Sequence, residues 1–210
     1  MTLRLAAALA LLAGALALAA YLHVMGRGPF AGAAASHLRA MKERRTAPTS
    51  AEVMTLERFA ALPHFAPLAT VAALERRGVV MEGYAQRVMR AVDDDIHLEI
   101  APTPRAPQGP DTVYTTAEIT PGVRGDSPRW RYEALVATMR PNHGGSAAWD
   151  GGPRRVRITG WLLYDYQYDA PPSESERRDE APRISGWEIH PVTGIEVWDE
   201  ARGRYEDYPR

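Results

Sequence analysis

The feature that most constrains this chain is a change of hydrophobic period at Gly78. Before it, apolar residues recur at helical spacing. After it they alternate, so the remainder is built mainly of strands. Val79–Val92 reads as a long first strand, with Gly83 a bend or bulge. Asp94–Ala101 reads as a second, closed by Pro102, Pro104, Pro107 and Pro110, which no central strand continues through. Thr112–Thr120 is a third. Arg129–Met139 returns to helical spacing through Trp130, Leu135 and Met139, and Pro141 stops it. Arg154–Tyr168, with Gly160 inside it, is a fourth strand and Gly186–Trp198 a fifth. Between these two, Asp169–Arg183 is rich in Pro, Ser, Glu and Arg and reads as a mobile, solvated loop.

Five strands with one helix between the third and fourth is the element order of the OB-fold, a small, partly open barrel. A glycine in each long strand suits strands that must coil sharply. The expected fold class is therefore mainly β: a five-stranded OB-like barrel over 78–200, preceded by short helices and an N-terminal transmembrane helix. An unrelated α+β domain is the competing reading of the same order. Residues 201–210 read as a polar tail.

Leu5–Met25 is a run of 21 residues without a permanent charge, flanked by Arg4 and Arg27. As a helix it spans about 31 Å, close to the hydrocarbon thickness of a bilayer. A cleaved signal peptide is the rival, because Ala17-Leu18-Ala19 and Ala33-Ala34-Ala35 both offer small-residue cleavage patterns. The length favours an uncleaved anchor over residues 1–27. Orientation signals conflict. Arg27, Arg39, Lys42, Arg44 and Arg45 follow the run, which places the body in the cytoplasm by the positive-inside count. A short basic start leading directly into an apolar segment is an export signal, and we expect the barrel on the exported side of a bacterial inner membrane. Residues 28–77 then read as a juxtamembrane helical segment. It holds a short helix over Ala34–Arg45 and a capping box, Thr49-Ser50-Ala51-Glu52, opening a helix through Val53, Leu56, Phe59 and Ala60. Pro63 and Pro67 end that helix, and a further helical turn over Ala69–Arg77 leads to Gly78.

Composition removes several classes. The 210 residues include no cysteine, which excludes a disulfide scaffold, a thiolate metal site and a cysteine nucleophile. A formal net charge of −1 argues against holding nucleic acid mainly by phosphate neutralisation.

Polar side chains recur at period 2 inside the predicted strands. Alternation puts Asp93, Asp95, His97 and Glu99 on one side, with Ile96, Leu98 and Ile100 toward the core. Asp165 lies among aromatics near the end of the fourth strand, where a carboxylate needs a donor. Glu188 and His190 share one face of the fifth strand. An acid and an imidazole two apart serve as base and orienting partner, or as two metal ligands. The first reading of this pattern is no cofactor and a solvated acidic face; the alternative is a divalent metal ion with Asp95, His97, Asp165, Glu188 and His190 as its candidate ligands. Trp161 and Trp187 join Asp95, His97 and Asp165 as candidate ligand-binding residues, since indoles stack on bases or sugars, although barrel packing also uses them. We expect His97 and His190 to lie beside acids of neighbouring strands.

Asp-x-Asp-x-His-Leu, then Val-Arg-Ile-Thr-Gly-Trp-Leu-Leu-Tyr-Asp, then Ser-Gly-Trp-Glu-Ile-His-Pro-Val-Thr-Gly-Ile-Glu-Val together resemble an uncharacterised family of exported bacterial OB-fold-like proteins. The likeness runs from about Val79 to Trp198. It implies an OB-like fold and an exported location, with no activity to transfer. Members of that family commonly carry Phe-Asp-x-x-His at the end of the fourth strand. Here Tyr168 stands where that histidine is expected, so the resemblance implies a metal set short of one ligand.

Three functions follow as expectations. The first is a membrane-anchored, non-catalytic module of the cell envelope, with the membrane as one partner through residues 5–25 and an unknown ligand or envelope protein as another. The second is a metal-dependent hydrolase, phosphodiesterase- or nuclease-like, with Glu188 and His190 as its catalytic pair. The third is a single-strand-binding OB domain, with Trp161 or Trp187 on bases and Arg154, Arg155 and Arg157 on phosphates.

Overall fold

The computed structural model describes residues 3–24, 32–104, 114–142, 152–168 and 183–209. The chain divides into two compact units, Met1–Arg44 and Arg45–Arg210. The first holds helix α1, Leu3–Val24, and helix α2, Ala33–Lys42. Along α1, Leu9, Leu11, Leu12, Leu16 and Leu18 are half or more exposed. Among the described residues no helix is both long and apolar enough to cross a membrane. The expected transmembrane helix over 5–25 thus finds no support in the described residues, and Met25 and Arg27 lie outside them.

The second unit is a closed barrel. Its elements are β1 (Glu52–Val53), α3 (Leu56–Ala60), α4 (Leu68–Leu74), β2 (Gly78–Arg90), β3 (Ile96–Ala101), β4 (Thr115–Ile119), α5 (Pro121–Arg124), α6 (Tyr132–Met139), β5 (Arg155–Tyr164), β6 (Trp187–Asp199) and β7 (Arg204–Asp207). The hydrogen-bonded order is β2-β3-β4-β6-β5, and β5 returns to β2. All neighbours are antiparallel except β4 and β6, which run parallel through Ala117 and Ile189. The first, second, third, fifth and fourth strands expected from the alternation thus meet in the cyclic order of an OB barrel, with α6 between its third and fourth strands.

Strand β2 makes closure possible by serving two partners. Its first half, Gly78–Tyr84, pairs with β5, and its second half, Tyr84–Arg90, with β3. Gly83 sits at the handover, where an added Cβ would lie 2.6 Å from Ile100 Cγ2 and 2.7 Å from the Ala101 carbonyl oxygen. Gly160 plays the same part where β5 crosses β6: a Cβ there would lie 2.4 Å from the Pro191 carbonyl oxygen. Only hydrogen fits at these crossings. The bulge in β2 itself falls at Gln86, between Ala85 and Arg87, and not at Gly83. Val79, Met81, Leu98, Ile158, Leu162 and Ile189 fill the interior, with Leu135 and Met139 of α6 and Phe59 of α3 packed into the same core.

Several expected boundaries are corrected. The capping box opens no helix at Val53. Glu52 and Val53 are extended and pair parallel with Val79 and Val80, and the Glu52 carboxylate accepts from Arg58, at 2.9 Å, and from Arg77. The cap of α3 is Thr55, whose Oγ1 accepts from the Arg58 amide. Asp94 and Asp95 precede β3, and Val92 is fully exposed in the turn, so both flanking strands are shorter than alternation suggested. The fourth strand stops at Tyr164 and Tyr166–Tyr168 form a 3-10 turn. The expected polar tail forms β7, antiparallel to β6. Pro107, Pro110, Thr112 and the loop 169–182 lie outside the described residues.

Candidate functional site

The outward face of β3, β4 and β6 is polar and yet buried. Alternation sends Leu98, Ala117 and Ile189 inward, and sends His97, Glu118, Glu188 and His190 outward. A solvated outer face is nevertheless ruled out: all five residues of β4 are buried, and Glu118, Glu188 and His190 are 3%, 0% and 1% exposed. Part of the cover comes from residues just before β6. Arg183 bridges to Tyr114 beside the start of β4, and the Ile184 amide donates to the Tyr114 carbonyl at 2.9 Å.

Glu118 is the hub of this face. Its Oε1 lies 3.1 Å from His97 Nε2, across direct register partners, and its Oε2 lies 3.4 Å from His190 Nε2. The same His190 nitrogen is 3.5 Å from Asp95 Oδ2. Ligand atoms of Asp95, Glu118 and His190 all fall within 4.8 Å of one another. Both histidines therefore lie beside acids contributed by other segments, as expected. Burial holds the His97 imidazole below its usual range, outweighing the pull of Glu188, Asp93 and Asp95.

Of the five residues expected to surround a metal, the structure brings only Asp95 and His190 to one point, and adds Glu118. His97 touches the far oxygen of Glu118. Glu188 is instead paired with Arg183, whose guanidinium donates to Glu188 Oε2 and lies 4.7 Å over the Tyr168 ring. Tyr168 thus faces a cation. Burial works against the Arg183 charge, but Glu188, then Glu118 and Asp165, outweigh it and raise its pKa. Asp165 is fully buried and its Oδ1 accepts from the Gln167 amide at 3.1 Å. The two residues that sequence reasoning missed had unequal signals. Glu118 is an acid alternating with Ala117 and Ile119 in a predicted strand, which could have flagged it. Arg183 closes a polar loop with no pattern to mark it.

The stacking surface is also corrected. Trp187 is fully buried in the barrel core against Tyr164, ring centroids 4.8 Å apart, and its indole nitrogen donates to the Pro63 carbonyl. Trp161 is half-buried, remote from it in role, with its indole nitrogen on the Thr46 carbonyl at 2.6 Å. Among the arginines, Arg155 and Arg157 each lie 2.7 Å from Glu82, Arg157 also approaches Glu196 at 3.4 Å, and Arg154 donates to the Trp198 carbonyl. Two of the three arginines are thus paired with carboxylates of their own sheet.

Two open concavities flank β1. One, of about 510 Å³, is lined by Met54, Leu56, Met81, Tyr84, Pro102 and Arg155; the other, of about 410 Å³, by Val80, Arg157, Thr159 and Glu196. Val53 and Glu82 border both. Burial would raise the Glu82 carboxyl, but hydrogen bonds from Arg157, Tyr205 and Arg155 hold it below the ordinary range. Tyr205 donates to Glu82 at 3.0 Å and is pushed up to about 12, by burial first and then by that bond.

No protein-family model matches the chain, and no curated protein matches it. It is similar to solved structures that include the asparaginyl-tRNA synthetase of Entamoeba histolytica, at 15% identity over 70% of this chain and 24% of that one, with a TM-score of 0.36. Others are the Pyrococcus horikoshii asparaginyl-tRNA synthetase complexed with asparaginyl-adenylate (19% identity, 63% and 21% covered, TM-score 0.34) and OBody AM3L09 bound to hen egg-white lysozyme (11%, 66% and 98%, 0.34). The chain spans about a quarter of the length of the synthetases it matches.

Proposed function

We propose that this chain is a membrane-tethered, non-catalytic OB-like module of the bacterial envelope that binds a small ligand or a partner protein. One observation carries the reading: the open grooves and the acid–imidazole cluster are different places. The cluster has the residue types of catalysis but is sealed, with Arg183 fixed on Glu188. The grooves beside β1 have the size of a ligand site. Their Glu82 is held ionised by two arginines and a tyrosine, which suits binding and leaves no proton to donate near neutral pH.

The tether is supported by the sequence of α1. Leu9, Leu11, Leu12, Leu16 and Leu18 stand exposed on a helix without a charged face, the pattern of a helix whose solvent is lipid. The basic start at Arg4 and the motif resemblance to an exported family support an exported barrel. Fractionation tests this directly. The full-length chain is expected in the membrane pellet after a carbonate wash and open to protease in spheroplasts, while a chain beginning at Arg45 is soluble and folded. A full-length chain recovered in the soluble fraction overturns the tether.

A metal-dependent hydrolase is the second reading, favoured by the approach of Asp95, Glu118 and His190 to one point. Turnover of bis(p-nitrophenyl) phosphate with Zn²⁺ or Mn²⁺ would establish it over the module.

A further inference from the structure

We propose that Asp95, Glu118 and His190 form a site for one divalent transition-metal ion, with Zn²⁺ the ion their donor set fits best. The inference goes beyond the binding role proposed above and does not depend on a membrane, on the grooves or on turnover.

Geometry comes first. A four-coordinate ion with bonds of about 2.0–2.1 Å sets its ligand atoms about 3.3 Å apart. His190 Nε2 stands 3.4 Å from Glu118 Oε2 and 3.5 Å from Asp95 Oδ2, close to the edges of such a tetrahedron. The three side chains come from separate segments of the barrel wall: the turn before β3, the end of β4, and β6 beside it. The third edge, between Asp95 and Glu118, lies within 4.8 Å, and the two acids would close further on a bound ion.

The second observation is independent of the acids. His190 is 1% exposed, and neither of its ring nitrogens has a hydrogen-bond partner among the described residues. A neutral imidazole carries one donor and one lone pair, and burying both without partners is costly. Nε2 has two carboxylate oxygens at 3.4 and 3.5 Å, longer than a good hydrogen bond, and a metal bound among them would take its lone pair. The neighbouring His97 approaches the other oxygen of Glu118 at 3.1 Å, the outer contact that orients a ligating carboxylate.

Chemistry selects the ion. Two carboxylates and an imidazole, with no thiolate, suit Zn²⁺ and next Mn²⁺. Ca²⁺ takes six to eight oxygens, and Mg²⁺ keeps several waters, which a site this enclosed does not favour. Three protein donors leave a fourth position for water. Asp95, at 7% exposure, is the most open of the three and marks the side from which an ion would arrive.

The test uses the full-length chain, stripped with chelator and dialysed against Zn²⁺ alone, then read by elemental analysis and thermal melting. About one equivalent per chain is expected, with a melting temperature raised by at least about 5 °C, since an ion that binds only the folded state stabilises it. Asp95→Asn and Glu118→Gln, nearly isosteric, are expected to hold under about 0.1 equivalent and to lose the shift while keeping the wild-type circular dichroism. Glu200→Gln, exposed and outside the site, is expected to behave as wild type. If either variant fails to fold, X-ray absorption of the loaded wild type decides. An oxygen and nitrogen shell with one imidazole supports the site; a shell of two or more imidazoles places the ion elsewhere and overturns it. No uptake of Zn²⁺ or Mn²⁺ by the stripped wild type, or equal uptake by folded Asp95→Asn and Glu118→Gln, overturns it as well.

Discussion

His97 Nε2 lies 3.1 Å from Glu118 Oε1, between residues that are direct register partners of β3 and β4. The contact fixes one oxygen of Glu118 and leaves the other for His190 at 3.4 Å. Removing His190 leaves Asp95 and Glu118 facing each other across a void in a buried wall. His190→Ala is accordingly expected to cost about 1–3 kcal/mol in urea denaturation, the range for opening a void in a packed wall. An unchanged midpoint would mean that the imidazole contributes nothing to the wall.

Barrel closure depends on backbone contact at Gly160. Gly160→Ala would place a methyl 2.4 Å from the Pro191 carbonyl oxygen and 2.6 Å from Ile189 Cγ2. Both belong to a packed strand, so the crossing must open, at a cost of about 2–3 kcal/mol or more. Gly194→Ala meets only the Thr159 side chain, Cβ at 3.4 Å and Oγ1 at 3.8 Å. Its loss should stay under about 1 kcal/mol, and equal losses for the two variants would contradict this account of the closure.

Period and turn chemistry made the barrel legible. Alternation located all five strands, and the glycines inside two of them marked both places where strands cross too closely for a side chain. What failed was local signal overruled by distant partners. Thr49-Ser50-Ala51-Glu52 has the form of a helix start, yet Glu52 lies extended beside β2, where Arg77, 25 positions on, meets its carboxylate. The candidate site was half legible. Asp95, His97, Glu188 and His190 were marked by parity, but parity says which side a residue faces and not whether that side is wet. Arg183 is what changes the outcome, binding Glu188 and helping to cover an outward face. Its arrival depends on chain beyond any periodic segment.

Acid should weaken the β1 clamp. Hydrogen bonding from Arg77, and then from Arg58, lowers the Glu52 carboxyl from 4.5 to about 2. A depressed carboxyl stabilises the fold above its unfolded value, and the contribution fades as pH falls from about 4.5 toward 2. The pair is well exposed, so solvent screening limits it to about 0.5–1 kcal/mol. Glu52→Gln should be less stable than wild type by that amount at pH 7, with the gap narrowing below pH 4. A gap that stays constant into acid would show that charge is not its source.

Tyr205 offers a check at the other end of the scale. Burial and donation to Glu82 push its hydroxyl up to about 12. A raised phenol favours the fold below pH 10 and loses that advantage as pH rises through the folded value. Titrated at 295 nm, one of the nine tyrosines should ionise near pH 12 in the folded chain, and Tyr205→Phe should remove that step. The ring stays in place in this variant, over Arg157 at 4.1 Å. If the late step survives the substitution, another tyrosine carries it.

The most direct test of the sealed polar wall is a double-mutant cycle on Arg183 and Glu188, followed by urea denaturation. Arg183→Met alone strands a fully buried carboxylate and should cost about 3–5 kcal/mol, whereas the double variant with Glu188→Gln should recover at least about 1.5 kcal/mol of the summed single losses. Single losses that simply add would contradict the account, because they would mean that Arg183 does not close this face on Glu188.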